Sequence, residues 1–241
     1  MRPRRWERTS PWLLCPPPPD WQRREETMKR YLTPAERQQL LNAAYRINDP
    51  LAQRDYHLMS ALYYSGCRIG EFLSITLADA WDALKTGYLY LPAAHRKGGK
   101  RDHSVYLTKP LRTHLVALLN MNPSQQGGDP LVPGRHGAPL TERAAQMRVA
   151  YWAEEAGIAM KVTPHWFRHS LAMDLLRAST AAEPLLIVKS ALGHSSLNST
   201  AMYTTPSRED LEDSMNAVAG TGGQRVTKAQ LRRVYSKRRA G

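Results

Sequence analysis

Apolar residues recur along most of this chain at the spacing of helices that bury one face. Thr33-Pro34-Ala35-Glu36 reads as a capping box with proline at the first helical position, opening a helix to about residue 46 with Leu40, Leu41 and Ala44 as its apolar stripe. Asp49-Pro50 starts a second helix to about residue 64, with Leu51, Tyr56, Leu58, Met59, Leu62 and Tyr63 mostly inward. Ser65-Gly66 breaks it, and a third helix is expected over 68–76. Apolar and polar residues then alternate over 87–91 and 103–107, which predicts two strands around the glycine-bearing, cationic tip His95-Arg96-Lys97-Gly98-Gly99-Lys100-Arg101.

Helical spacing resumes at 110–120, where Leu111, Leu115, Leu118 and Leu119 share a face. Residues 122–140, rich in glycine and proline, read as a loop. Thr141 caps a helix to about residue 156, and Thr163-Pro164 opens another. A helix over 185–192 is ended by Gly193. Beyond it, Ser207 caps a helix carrying Leu211, Met215 and Val218. Thr227-Lys228-Ala229-Gln230 then opens a basic helix with Leu231, Val234 and Tyr235 on one side. The expected fold class is α+β, mostly α-helical, with one small antiparallel β-hairpin.

Residues 1–27 show no period, and the Pro16–Pro19 run breaks any helix there. They read either as a disordered basic arm that touches a polyanion or as an upstream extension before a translation start at Met28. The organisation expected is therefore an N-terminal extension over 1–30, a folded domain over 31–219 and a basic C-terminal helix or tail over 220–241.

A formal net charge of +13 over 241 residues points to a polyanionic partner. Its location matters more than its sum. Residues 1–30 carry +4 and residues 220–241 carry +7, leaving +2 for the rest. A surface for such a partner on the body must then be a local patch, and the basic tails either bind a polyanion or solubilise the chain. Cys15 and Cys67 are too few for a disulfide framework, and neither has metal-ligand spacing. No apolar run approaches the roughly 18 residues that span a bilayer, and no secretory signal is evident. A reducing, bacterial-type cytoplasm, at the nucleoid or on a plasmid, is the expected setting.

The chemistry is concentrated in residues 163–205. His165 and Arg168 lie three apart on one helix, His169 follows, His194 comes directly after Gly193, and Tyr203 lies nine residues further on. His165-x-x-Arg168-His169, Leu192-Gly193-His194 and Tyr203 resemble the C-terminal signature of the tyrosine recombinases, the phage-integrase family. Gly66-Cys67-Arg68-Ile69-Gly70-Glu71 resembles that family's first-arginine box, and Arg96-Lys97-Gly98-Gly99-Lys100-Arg101 its β-hairpin lysine. One departure is a slightly longer Arg168-to-His194 interval, around residues 178–183.

The resemblance implies a tyrosine-recombinase catalytic domain over 31–219 that cleaves and rejoins DNA through a 3′-phosphotyrosyl link, in integration, inversion or resolution. Tyr203 is then the nucleophile and His165 its general base, because a phenol with a pKa of about 10 must lose its proton as it attacks. Arg68 and Arg168 stabilise charge on the phosphoryl oxygens, His194 adds a hydrogen bond, and Lys97, with Lys100 as the alternate, protonates the leaving oxygen. Glu71 is expected to orient Arg68 or to cap its helix, Arg68 itself having Asp79 and Asp82 as alternative partners, and His169 is expected to be structural. Arg96, Lys100 and Arg101 on the tip, and Arg143 and Arg148 on the helix over 141–156, are candidate DNA contacts. Arg143 and Arg148 can also form a plain solvated face.

No metal, ATP or other cofactor is implied. The partners implied are double-stranded DNA, a homo-tetramer on synapsed DNA formed from free monomers, and accessory DNA-bending proteins. With only about 30 residues ahead of the domain, the chain resembles the minimal, catalytic-domain-only recombinases. A type IB topoisomerase-like enzyme and a non-catalytic DNA-binding regulator derived from a recombinase are the alternatives. Topoisomerases of that type place lysine where His165 stands.

Overall fold

The computed structural model describes residues 31–96, 101–181 and 183–193. The chain divides into two compact units, 1–197 and 198–241, and every described residue belongs to the first. The elements are α1 (Pro34–Tyr45), α2 (Pro50–Ser65), α3 (Ile69–Leu73), α4 (Leu77–Thr86), β1 (Tyr88–Leu91), β2 (His103–Tyr106), α5 (Lys109–Met121), α6 (Glu142–Glu155), α7 (Pro164–Ala178) and α8 (Pro184–Leu192). Helices predominate beside one two-stranded antiparallel sheet, as the alternation and spacing predict.

The ends of the helices follow from local chemistry. Thr33 and Glu36 form the reciprocal cap that starts α1, with the Thr33 N–H donating to Glu36 Oε2 at 2.8 Å and the Glu36 N–H to Thr33 Oγ1 at 3.2 Å. Asp49 caps α2, and Gly66 ends it in the left-handed conformation at φ 63°. A Cβ on Gly66 would meet the Leu171 and Leu192 side chains at 2.8 Å, so both backbone conformation and packing demand glycine there.

The third helix is shorter than the sequence suggests. It stops at Leu73, because Ile75 to Leu77 form an extended seam with the following loop. The Leu131 N–H donates to Ile75 O at 2.9 Å and the Leu77 N–H to Asp129 O at 2.9 Å. A new helix, α4, then starts behind a Thr76–Asp79 capping box. Asp79 is committed to that cap, and Asp82 lies 3.6 Å from Lys85, so neither is the partner of Arg68.

Helix α2 is the axis of the packing, with α1, α5 and α7 laid against it. Leu58, Met59 and Leu62 of α2 meet Leu40 and Ala44 of α1, Leu111 and Leu115 of α5, and Phe167 of α7 in one buried cluster. Leu51, expected to point inward, sits in the exposed first turn of α2. Where α2 meets α5, His57 Nδ1 lies 2.9 Å from His114 Nδ1 beside the rings of Tyr56 and Tyr64. In the hairpin, Leu89 pairs with Val105 and faces the core, while Tyr88, Tyr90 and Tyr106 face outward. The loop over 122–140 is anchored by the buried Asn122, whose amide donates to Pro130 O and Leu131 O at 2.9 and 3.2 Å.

Candidate active site

Three described regions meet where the chain leaves α2, enters α7 and ends α8. Arg68 sits just before α3, in an extended conformation, and its guanidinium turns back onto Glu71. Arg68 Nη1 donates to Glu71 Oε1 at 2.8 Å, and the Arg68 N–H donates to Oε2 at 3.0 Å. Glu71 is only 3% exposed, so the carboxylate acts as a fixed internal bracket for the arginine. Burial pushes the Glu71 carboxyl up, but the hydrogen bonds from Arg68 and the charges of Arg68 and Arg168 outweigh it and hold it below the usual carboxylate range. Glu71 thus makes both contacts weighed from the sequence, one to the Arg68 guanidinium and one to the backbone N–H at the start of the helix.

Arg168 comes from the first turns of α7, which begins at Pro164 behind Thr163. Its neighbours Trp166 and Phe167 are buried in the core, and Arg168 itself is 3% exposed. One guanidinium arm donates to Gly66 O, and Nη2 donates to Leu192 O at 2.9 Å. Arg168 thus spans from the turn that introduces Arg68 to the last residue of α8. His165 is exposed, while His169, one turn on, is half-buried, with the two rings edge to face at 5.4 Å between centroids. Cys67, next to Arg68, is a core residue whose thiol burial pushes up to about 11, which removes it as a nucleophile near neutral pH.

The carboxyl end of α8 is held from three directions. His103 Nε2 lies 3.2 Å from Ala191 O, Arg168 donates to Leu192 O, and Arg96 Nη2 donates to Gly193 O at 2.7 Å. These carbonyls form the negative end of the helix, where cationic and N–H donors are favoured. Gly193 adopts φ 61°, and a Cβ there would lie 2.6 Å from Arg96 Nη2 and 2.7 Å from the His103 ring. Burial and the neighbouring Arg96 charge lower the His103 pKa, so the imidazole is neutral near pH 7 and its Nε2–H serves as donor.

Two of the expected DNA contacts are placed differently from the sequence reading. The Arg96 side chain is 9% exposed, 3.6 Å from Glu71 through Nε, and also donates to Arg101 O at 2.8 Å. It is an internal tie and not a surface cation of the hairpin tip. Arg148, its side chain 34% exposed, forms an ion pair with the buried Asp55, which also pairs with Arg54 and accepts from Trp152 Nε1 at 2.9 Å, so its guanidinium is tied to the fold. Arg101 and Arg143 are exposed. Lys97, Lys100, His194 and Tyr203 lie outside the described residues. So do the capped helices expected after Tyr203 and the domain boundaries placed at 30 and 219.

Sequence reasoning misses the contribution of His103. Its signal is present in the strand period, since His103, Val105 and Leu107 share a face and the latter two are core residues. The role of Arg96 has no such signal, because in sequence it is one cation among several at a tip.

Comparison with known proteins identifies relatives of this chain. The phage integrase family profile matches residues 30–210. The tyrosine recombinase XerC of Neisseria meningitidis serogroup C (strain FAM18) is 36% identical over 157 residues, covering 65% of this chain and 48% of that protein. The XerC of Listeria monocytogenes serotype 4b is 30% identical over 189 residues, covering 77% and 60%. The first of these relatives is matched over about half its own length.

Among solved structures, XerA recombinase superposes with a TM-score of 0.62 at 23% identity, covering 78% of this chain and 62% of that one. XerH site-specific recombinase, bound to palindromic difH substrate in a post-cleavage complex, superposes at 0.61 with 25% identity, covering 77% and 52%. With the arginine box at the end of α2, the histidine–arginine pair of α7 and a profile match across three-quarters of its length, the chain belongs to the phage integrase family of tyrosine recombinases.

Proposed function

We propose that this chain carries out site-specific DNA recombination, cutting and rejoining strands through a 3′-phosphotyrosyl intermediate. The observation that supports this most directly is the meeting of Arg68 and Arg168 around the Gly66 turn. Two permanent cations with forked donors are held there by a buried carboxylate and by backbone carbonyls. A phosphodiester gains charge on its non-bridging oxygens as it passes through a pentavalent state, and such donors stabilise that charge most when they need not reorganise.

In this reading Tyr203 attacks phosphorus, its proton passing to His165, and the phosphorus–oxygen bond to the 5′ side breaks. The leaving oxygen takes a proton from Lys97, and His194 donates to a non-bridging oxygen. Rejoining reverses these steps, so the phosphodiester energy is kept in the covalent link and no nucleotide triphosphate is consumed. The exposed position of His165 suits a base that must meet a nucleophile arriving from another part of the chain. The partner is double-stranded DNA, with synapsis by four copies and help from DNA-bending proteins. Whether the outcome is integration, inversion or resolution depends on how the target sites are arranged.

The test is covalent capture. The protein is incubated with genomic DNA from its source and denatured, and protein-linked DNA is then precipitated and sequenced. The expected result is recovery of a discrete site joined by its 3′ phosphate to Tyr203, and its loss in Tyr203→Phe with DNA binding retained. An adduct that persists in Tyr203→Phe would refute the nucleophile assignment, and the absence of any adduct would refute the enzymatic reading.

A further inference from the structure

One guanidinium touches all three stretches of chain that lead to Arg68, Lys97 and His194. Arg96 immediately precedes Lys97 in sequence. Its Nη1 donates to Arg101 O at 2.8 Å, closing the root of the hairpin tip. Its Nη2 donates to Gly193 O at 2.7 Å, the carbonyl just before His194. Its Nε lies 3.6 Å from Glu71 Oε1, and that same oxygen accepts from Arg68 Nη1 at 2.8 Å.

The side chain is 9% exposed, and Nε is buried without a hydrogen-bond partner among the described residues. Arg96 commits two arms to carbonyls of the hairpin root and the end of α8, and its Nε lies 3.6 Å from a buried carboxylate. His103 adds a second tie, from β2 to Ala191 O, which keeps the hairpin and α8 in register beside it.

We propose that Arg96 is a positioning residue that joins the hairpin root, the end of α8 and the Arg68–Glu71 pair into one mechanical unit. The unit fixes the points from which the chain departs toward Lys97 on one side and His194 on the other. Lysine cannot substitute for it, because a single ammonium cannot reach the Arg101 and Gly193 carbonyls and the Glu71 carboxylate at once. The effect on cleavage rests on the proposed function; the coupling of the three elements does not.

The experiment compares wild type with Arg96→Lys in two measurements. On a DNA duplex that the wild type cleaves, single-turnover cleavage at saturating DNA should slow about tenfold or more, the equivalent of one charge-assisted hydrogen bond. Affinity for the duplex and its salt dependence should stay unchanged. A loss of affinity, with the salt slope reduced by about one and the rate at saturation unaffected, would mark a phosphate contact and overturn the proposal.

Hydrogen–deuterium exchange on the free protein supplies the reading that does not depend on catalysis. In Arg96→Lys, exchange in the last turn of α8 and in the hairpin root should rise together by about tenfold, with α5 unchanged. Unaltered exchange at both places overturns the proposal even if no DNA is cleaved, whereas altered exchange without any cleavage sinks only the enzymatic reading. Gly193→Ala perturbs the same contact from the other end. If the two substitutions act through one unit, the double variant should cleave no more slowly than the slower single; additive losses would again count against the unit.

Discussion

Replacing Glu71 by glutamine changes one atom and isolates what the buried charge contributes. In the wild type the carboxylate takes two contacts from Arg68 and lies 3.6 Å from Arg96 Nε. The amide keeps one oxygen for one of these donors and turns an NH2 group toward another. Loss of a charge-assisted hydrogen bond costs about 1.5–3 kcal/mol, and stripping one partner from a fully buried ion pair about 3–5 kcal/mol. Arg68 has a side chain 28% exposed, so water re-screens part of its charge and the lower end applies, about 2–3 kcal/mol. For a chain of this size that is a fall in Tm of about 4–12 °C, measured by calorimetry near neutral pH.

The pH dependence provides the sharper check. The folded pKa of Glu71 lies below its unfolded value, so its contribution is fully present above about pH 4.3 and disappears as pH falls through the folded pKa. The variant lacks that contribution at every pH. The stability gap between the two proteins should therefore be widest near neutrality and close in acid. Equal stability at neutral pH, or a gap that widens in acid, would show that the carboxylate is not the bracket described for Arg68.

Two further outcomes follow from the same geometry. Arg68→Ala and Arg168→Ala should each slow single-turnover cleavage by about 10²–10³, the loss typical of one preorganised donor. Both should also lower Tm: Arg68→Ala leaves the buried Glu71 carboxylate without its guanidinium, and Arg168→Ala strands the Gly66 and Leu192 carbonyls in the interior. At the α2–α5 contact, burial and the neighbouring His57 lower His114 to about 4. A histidine held neutral in the fold but free to protonate when unfolded contributes stability above about pH 6.5, which is lost as pH falls toward about 4. His114→Gln should remove that descent from urea-unfolding curves taken across the window, and an unchanged descent would place its origin elsewhere.

What can be read from the chain and what cannot divide along the range of the interactions. Caps, glycine stops and apolar stripes are local, so α1, α2, α5, α6, α7, α8 and both strands are legible to within a residue or two at their starts. The break between α3 and α4 is not, because it is made by Asp129 and Leu131, more than fifty residues downstream. The Thr76–Asp79 cap is nonetheless visible in the sequence and is the signal that places it. In the site, Glu71 is legible because its partner is three residues away. The internal ties of Arg96 and Arg148 are not legible, because their partners, Gly193 and Asp55, are 97 and 93 residues away. A cation's exposure is decided by tertiary partners, and composition cannot distinguish a surface arginine from an internal one.

The way the guanidiniums are held bears on the proposed chemistry. Arg68 and Arg96 lie beside the buried carboxylate of Glu71, and the charge of Arg168 also acts on it. Backbone carbonyls at Gly66, Leu192 and Gly193 accept from Arg168 and Arg96. In the proposed reaction a phosphodiester carries two negative charges once a phenolate has added to it. Donors already fixed by the fold would meet that charge without reorganising, the condition under which such donors lower a barrier most. A substitution that loosens these restraints while keeping the charges should therefore slow cleavage without weakening DNA binding.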